Sequence, residues 1–209
     1  MIVGVILALG QMDMKRLLAY HSISQVGYIL LGIGMANPFG IIGGVYHLVN
    51  HSIFKSLLFL NSGAVYYRTG TRNLERLGGL NEVMPITGAT SLIASLSISG
   101  IPPFNGFFSK LFIIIACVKA GHPVFALWAV IGSILTLSSF MKFQRFIFYG
   151  ENKNFKDIKE VPLSMKFSMI FLALLCFFTS FLALPKVKGN IFNATVNSLS
   201  KREYWSILR

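Results

Sequence analysis

Two histidines and a lysine recur at four-residue intervals in one apolar stretch of this sequence, at His47, His51 and Lys55. In an α-helix this spacing puts the three side chains on one face with modest angular drift. Imidazole exchanges protons near neutral pH, and a lysine removed from water can lose its charge without leaving its site. The row therefore predicts a proton path. The alternative is structural, with the histidines bonded to carbonyls and the lysine extending to the surface.

Neither a metal site nor a cofactor site is predicted. Zinc ligation by the histidine pair is disfavoured, because the apolar runs contain no carboxylate to complete the site. Cys117 and Cys176 lie in apolar stretches without CxxC spacing. We therefore expect this chain to bind no metal or cofactor, and any enzyme activity to belong to a complex that contains it.

A second site of chemical interest is Lys110, which follows an interruption in a 36-residue apolar run. The segment Gly100 to Gly106 cannot be continuous helix, because Pro102 and Pro103 each remove an amide donor and clash with the preceding turn. A broken helix with a lysine beside the break is typical of transporters that hold ions at mid-membrane. The alternative is a proline kink that serves packing only.

The composition indicates that these residues lie in membrane-spanning segments. Of 209 residues, 54% are hydrophobic and 12% are charged, and the mean hydropathy is +0.66. Soluble domains carry about 25% charged residues, so a water-soluble globule is excluded. Five runs are long enough to cross a bilayer, and the shorter run Ile2 to Gly10 is a partial one. The five are Leu17 to Ala36, Gly40 to Tyr67, Met84 to Lys119, Pro123 to Tyr149 and Ser164 to Leu184.

The sequence is therefore expected to form an all-α membrane protein with about five complete transmembrane helices. No Asp or Glu lies in the complete runs, whereas Lys55, Lys110 and three histidines do. A charge at membrane depth costs about 2.5–3.5 kcal/mol and marks an ion or substrate path. His21, which lies among several polar residues of the first complete run, joins this path as a candidate, although interhelical packing explains its surroundings equally well.

The net charge of +12 gives the orientation. Bases are enriched in short cytoplasmic loops, and eleven of them fall on one side of the predicted bundle. They are Lys15, Arg16, Arg68, Arg72, Arg76, Lys142, Arg145, Lys153, Lys156, Lys159 and Lys166. Because most of the excess charge flanks the membrane, a nucleic-acid partner is excluded. Residues 1–184 form the predicted membrane domain, and residues 185–209 a basic tail that includes a candidate interfacial helix.

Several ordered motifs resemble one family. The sequence DMKRLLAYHSISQVGY from Asp13 to Tyr28 is similar to a signature of the antiporter-like proton-channel subunits of respiratory complex I, Mrp sodium/proton antiporters and membrane-bound hydrogenases. The resemblance continues in order over residues 11–151. The further matches are His47-x-x-x-His51-x-x-x-Lys55, Leu74-x-x-Leu77-Gly78-Gly79-Leu80, Ser99-Gly100-Ile101-Pro102-Pro103-x-x-Gly106-Phe107 and Phe148-Tyr149-Gly150-Glu151.

The resemblance implies a fourteen-helix fold with two inverted five-helix repeats, of which this chain would supply the second repeat and the last helix. It also implies that Lys110 faces an exit half-channel and that His47, His51 and Lys55 lie on a central polar axis. The membrane glutamate and partner lysine of the family's first repeat have no counterpart here. We therefore expect a C-terminal part of a longer protein, a split gene product or a shortened paralogue.

The expected function is translocation of protons, or of sodium ions, by a subunit of a complex I-like or Mrp-type assembly. The expected partners are other membrane subunits and the lipid bilayer, and the expected location is the cytoplasmic membrane of a cell rather than the mitochondrial inner membrane. The alternative is a non-conducting half-antiporter that only scaffolds its neighbours. A self-sufficient secondary transporter is disfavoured by the missing first repeat.

Overall fold

The fold is an all-helical bundle, seen in a computed structural model that describes residues 1–151, 155 and 157–183. These residues form no β-strand, although Asp13 and Asn73 make one isolated bridge. The predicted tail at 185–209 lies outside the described residues. The α-helices are α1 (Ile2–Leu9), α2 (Met14–Gly34), α3 (Pro38–Thr69), α4 (Pro85–Ser99), α5 (Asn105–Lys119), α6 (Pro123–Gln144) and α7 (Leu163–Phe178).

The predicted multi-span membrane architecture is confirmed. Three helical segments combine sufficient length with high hydropathy, and they are Met14–Gly34, Pro123–Tyr149 and Leu163–Phe181. Helix α3 is long enough at 32 residues, but the polar residues along it keep it outside that set. The remaining predicted span is divided between α4 and α5, which are 15 residues each.

The connections gather at the two ends of the bundle as the charge pattern predicted. Backbone bonds join the α1–α2 connection to the segment after α3, with Met14 N donating to Arg72 O at 3.0 Å. The same segment bonds to the end of α6, since Leu80 N donates to Ile147 O at 3.1 Å. We call this end the basic face. At the opposite end, Asn37 Nδ2 of the α2–α3 turn donates to Ala116 O at 3.0 Å.

Side-chain caps fix where several helices begin. Asp13 accepts from Arg16 N at 2.9 Å to start α2, and Asn37 accepts from Gly40 N at 2.9 Å to start α3. Helix α4 is capped from a distance by Glu160, which lies in the connection before α7. Its carboxylate accepts from Ile86 N at 2.9 Å and Thr87 N at 3.2 Å. An acid at a helix N-terminus satisfies free amides and complements the helix dipole, so Glu160 fixes the basic end of α4.

The predicted helix break is confirmed between α4 and α5. Gly100 ends α4 in the left-handed region, at φ 81°, which a residue with a side chain rarely adopts. After the two prolines, α5 begins at Asn105. Gly106 lies so close to the carbonyl oxygen of Ser97 that a β-carbon there would overlap it. The two half-helices therefore meet through backbone contact, which only glycine at position 106 permits.

Candidate functional site

Lys110 lies on the second turn of α5 and is 3% exposed. Its Nζ donates to Ile98 O near the end of α4 at 2.8 Å and lies 4.5 Å from the ring centroid of Tyr28. In a continuous helix, the amide of residue 102 would bond to Ile98 O, but proline has no amide hydrogen. The break therefore leaves a buried carbonyl free, and the lysine occupies it.

Lys55 is the second buried lysine, at 6% exposure in the middle of α3. Its Nζ donates to the carbonyl oxygen of Leu18 on α2 and lies 5.6 Å from the ring centroid of Phe59. Leu18 O also accepts from Ser22 Oγ at 3.3 Å. Lys55 thus donates to a carbonyl oxygen inside a regular helix, and that oxygen already accepts another hydrogen bond.

His47 joins three helices. It is fully buried on α3, with Nδ1 2.9 Å from Ser109 Oγ on α5 and Nε2 3.2 Å from Gln25 Oε1 on α2. Both ring nitrogens therefore have a hydrogen-bond partner on another helix, and the tautomer of His47 determines which of them donates. The Tyr28 ring, 5.7 Å from the His47 ring, also contacts Lys110. His47 is thus one aromatic ring away from Lys110.

His21 is fully buried on α2 and contacts α6. Its Nε2 lies 2.8 Å from Ser139 Oγ, and its ring lies 4.6 Å from the ring of Phe140. Its Nδ1 makes no hydrogen bond to the described residues. A buried imidazole with one free nitrogen has capacity for one more donor or acceptor.

His51 is less well placed for a role in a proton path than its position in the sequence row suggested. It is partly exposed, whereas His47 and Lys55 on either side are buried. Its ring meets Phe54 edge-on at 5.7 Å, and its Nε2 makes no bond within the described part of the chain. The polar contacts of the row therefore run between helices and not along α3.

Asn105 connects the break to its surroundings, and sequence reasoning did not single it out. Its Oδ1 accepts from Ser97 Oγ of α4, its backbone oxygen accepts from Asn50 Nδ2 of α3 at 3.1 Å, and its Nδ2 donates to Thr179 Oγ1 beyond α7 at 2.8 Å. A fully buried amide with this many bonds orders the start of α5. Its position directly after Pro-Pro-Phe is the signal that could have identified it.

A second polar cluster, also missed from the sequence, lies nearer the basic face. We call it the α4 cluster, and it consists of Asn61, Thr90, Ser91, Ser95 and Gln144. Gln144 Nε2 of α6 donates to Ser91 Oγ at 2.9 Å and to Ser95 Oγ at 2.8 Å. Thr90 Oγ1 donates to Asn61 Oδ1 of α3 at 3.0 Å. The recurrence of Ser and Thr along α4 was a signal, but it equally fits helix packing in a membrane.

The arrangement supports proton exchange more readily than metal chemistry. The described residues contain no group of three or more His, Cys, Asp or Glu side chains placed to hold a metal ion. The buried polar groups are instead imidazoles, amines, hydroxyls and amides that donate and accept hydrogen bonds across α2, α3, α5 and α6. Such a network can pass protons through its titratable members.

Comparisons with known proteins identify the family of this chain. Residues 1–136 match the family model described as NADH:quinone oxidoreductase/Mrp antiporter, transmembrane. A Na(+)/H(+) antiporter protein of Alkalihalophilus pseudofirmus is 40% identical over 157 residues, which are 75% of this chain and 32% of that protein. The chain thus spans about a third of the length of this relative.

Solved structures show the same fold. A chain of the membrane-bound sulfane sulfur reductase, an archaeal respiratory membrane complex, superimposes with a TM-score of 0.82 at 39% identity, covering 86% of this chain and 30% of that one. A chain of the Mrp complex from Dietzia sp. DQ12-45-1b gives a TM-score of 0.82 at 30% identity, covering 92% and 44%. The bundle is therefore similar to part of each larger subunit.

Proposed function

This chain belongs to the NADH:quinone oxidoreductase/Mrp antiporter transmembrane family, and from that premise we propose that it serves as an ion-translocating membrane subunit. Its transported ion is the proton, with sodium as the alternative. The observation that carries the proposal is Lys110, a buried amine at a helix break inside a membrane bundle. Burying an ionisable side chain inside a membrane costs free energy, so such a residue marks a functional site.

The proposed mechanism uses the two protonation states of Lys110. When charged, its ammonium donates to Ile98 O, which lies near the negative end of the α4 dipole. When neutral, it holds that carbonyl less tightly and can accept the next proton. His47 lies across the Tyr28 ring, and its two nitrogens face different partners, so it can receive a proton at one nitrogen and release one at the other. Protons would thus move between His47 and Lys110 in the plane of the membrane.

Two further buried residues, His21 on α2 and Lys55 on α3, would extend this path. Each of these further candidates has a partner on a neighbouring helix. Several polar atoms nearby make no bond to described residues, including His21 Nδ1 and Gln25 Nε2. Buried polar groups are normally satisfied by protein or ordered water, so a hydrated path is favoured. A purely scaffolding role would favour a fully satisfied, dry interior.

The assembly in which this would operate is larger than the chain. Other subunits of a multi-subunit membrane complex are the proposed partners, and the cytoplasmic membrane is the proposed location. The basic face would lie on the cytoplasmic side, since positively charged loops are retained there. Because the chain spans about a third of the relative's length, the full translocation cycle is assigned to the assembled complex.

The test is the Lys110→Ala substitution in the assembled complex. Membrane vesicles would contain a trapped pH-sensitive dye and be energised by the reaction or ion gradient that drives the complex. We expect proton transfer to fall by at least about tenfold, because a titratable relay is removed. Lys119→Ala is the matched control, since Lys119 is exposed at the other end of α5. Unchanged transfer in Lys110→Ala, with normal assembly, would overturn the proposal.

A further inference from the structure

A cavity of about 540 Å³ lies between α4 and α7. We call it the α4–α7 groove, and its walls include Ile86, Thr90 and Ile93 of α4 and Ile170, Ala173 and Leu174 of α7. Thr90 and Ala173 are buried, whereas Ile170 and Leu174 are 41% and 50% exposed. The hydroxyl of Thr90 donates to Asn61 on α3, so the surface of the groove is apolar. The groove therefore has a floor of small side chains and a rim of large ones, and it opens toward lipid.

The groove runs from the basic face to the depth of the helix break. Ile86 lies in the first turn of α4, at the basic face, and Phe104 of the break segment lines the other end. Phe177 of α7 lines this end as well, since Thr179, two residues later, accepts from Asn105 Nδ2 at 2.8 Å. The part of α7 that lines the groove spans about 10 Å of helix.

These dimensions favour hydrocarbon chains over a helix of another subunit. Over a length of about 10 Å, the volume gives a mean cross-section of about 50 Å², whereas a helix about 10 Å across occupies about 80 Å². Helices approach closely in a membrane where small residues form the contact surface, but here the large rim would hold a helix away from Thr90 and Ala173. Flexible chains can enter the groove, and they restore the dispersion contacts that an empty cavity loses.

A lysine lies on the stripe of α7 that lines the groove. Lys166 precedes Ile170 by four residues, and Leu174 and Phe177 follow at spacings of four and three, which places all of them on one helical face. Lys166 is in the first turn of α7, at the basic face. A lysine stem can lie along apolar surface while its ammonium reaches the headgroups of the membrane. The groove thus combines apolar walls with a cation at the end where a lipid headgroup would lie.

The positive charge at this end is available to an anion. The ammonium of Lys166 makes no hydrogen bond or ion pair with a described residue. Glu160, the acid that caps α4, has both carboxylate oxygens bonded, one to Thr87 Oγ1 and Val161 N and the other to backbone amides of α4. Arg68 Nη2 donates to the backbone oxygen of Glu160 at 2.6 Å and adds a second cation. Basic pockets between membrane helices on the cytoplasmic side bind anionic lipid headgroups.

We propose that the α4–α7 groove binds an anionic phospholipid, with its phosphate against Lys166 and its acyl chains between α4 and α7. The phosphate accepts a charge-assisted hydrogen bond from the ammonium. The chains extend to Phe104, so the bound lipid packs against the break between α4 and α5. The site does not depend on ion transport, and it can therefore fail separately from the proposed function.

Photocrosslinking in the assembled complex tests this site. Phosphatidylcholine vesicles would contain a phospholipid probe with a diazirine on one acyl chain and either a phosphatidylglycerol or a phosphatidylcholine headgroup. Labelled peptides would be identified by mass spectrometry. We expect the phosphatidylglycerol probe to label the groove at least about fivefold more than the phosphatidylcholine probe. Leu127 and Ile134, exposed on α6, should be labelled equally by both. Equal labelling of the groove, or no labelling because another subunit covers it, would overturn the proposal.

Two substitutions separate the headgroup from the chains. Lys166→Glu should lower labelling of the groove by the phosphatidylglycerol probe to the phosphatidylcholine level. Lys15→Glu, the same charge change at an exposed position of the basic face on α2, is the control and should leave labelling unchanged. Ala89→Phe, at an exposed position of α4 that lines the groove, should fill the cavity and lower labelling by both probes at least about fivefold. Parental labelling in both Lys166→Glu and Ala89→Phe would overturn the lipid site.

Discussion

The continuous helix α3 and the broken pair α4/α5 each bury one lysine, but they hold it by different means. Lys55 of α3 donates to a carbonyl in the middle of regular α2, and that oxygen has another donor in Ser22. Lys110 of α5 donates to Ile98 O, which loses its helical partner because residue 102 is proline. The broken pair thus creates a vacant acceptor for an ammonium, whereas the continuous helix offers a shared one.

This difference has a functional consequence. Among the described residues, Lys110 is the donor recorded at this vacated acceptor, so the hydrogen bonding of Ile98 O changes fully when Lys110 gains or loses a proton. Lys55 donates to Leu18 O, and that oxygen keeps its hydrogen bond from Ser22 whether Lys55 is protonated or neutral. We therefore expect the broken pair to be the principal site of protonation change and α3 to supply a secondary relay.

The largest effect on this comparison is expected from Gly106→Ala, which would push apart the two halves of the broken span. A β-carbon at this position would overlap the carbonyl oxygen of Ser97, so α5 must move relative to α4 and carry Lys110 with it. Because misplacement by about 1 Å can cost about 100-fold in rate, we expect proton transfer in vesicles to fall at least tenfold.

The matched control for this substitution lies in the continuous helix. Gly63→Ala on α3 places its β-carbon in open space, with no neighbouring atom within 4 Å. Proton transfer should stay at the parental rate. Equal losses in the two variants would show that the close contact at the break has no special role in positioning Lys110.

A smaller effect is expected from Lys55→Met, which retains a long apolar side chain but removes the amine. We expect proton transfer to fall roughly threefold to tenfold, less than in Lys110→Ala, because one relay among several is lost. Ser52→Ala, on the exposed side of the same helix, is the control. If Lys55→Met lost more proton transfer than Lys110→Ala, α3 and not the broken pair would be the principal site of protonation change.

Local sequence signals predicted the broken region well. Gly100 and the two prolines determine the break through their own backbone geometry, without reference to any neighbour. The burial of Lys110 and Lys55 also followed from the long apolar runs that surround them. The spans and the grouping of basic connections at one end were predictable for the same reason, because hydropathy and charge act along the chain.

Contacts between helices could not be predicted in this way. The four-residue spacing suggested that His47, His51 and Lys55 act along α3, yet His47 bonds to Gln25 and Ser109 on other helices. The side of a helix that contacts a given neighbour depends on the rotation of that helix about its axis and on the crossing angle. In a membrane span nearly every residue is apolar, so the sequence has little hydrophobic periodicity from which to predict either one. The same reason explains why the partners in the α4 cluster were not identified from the sequence.

The central claim is that Lys110 changes protonation during transport, and Lys110→Arg tests it most directly. Arginine keeps the positive charge and can donate to Ile98 O, but it stays protonated at any physiological pH. Proton transfer would be compared in vesicles between the parent complex, Lys110→Arg and Lys110→Ala. The account predicts that both variants lose transfer to a similar extent. Retention of transfer in Lys110→Arg would show that Lys110 acts as a fixed charge and would contradict it.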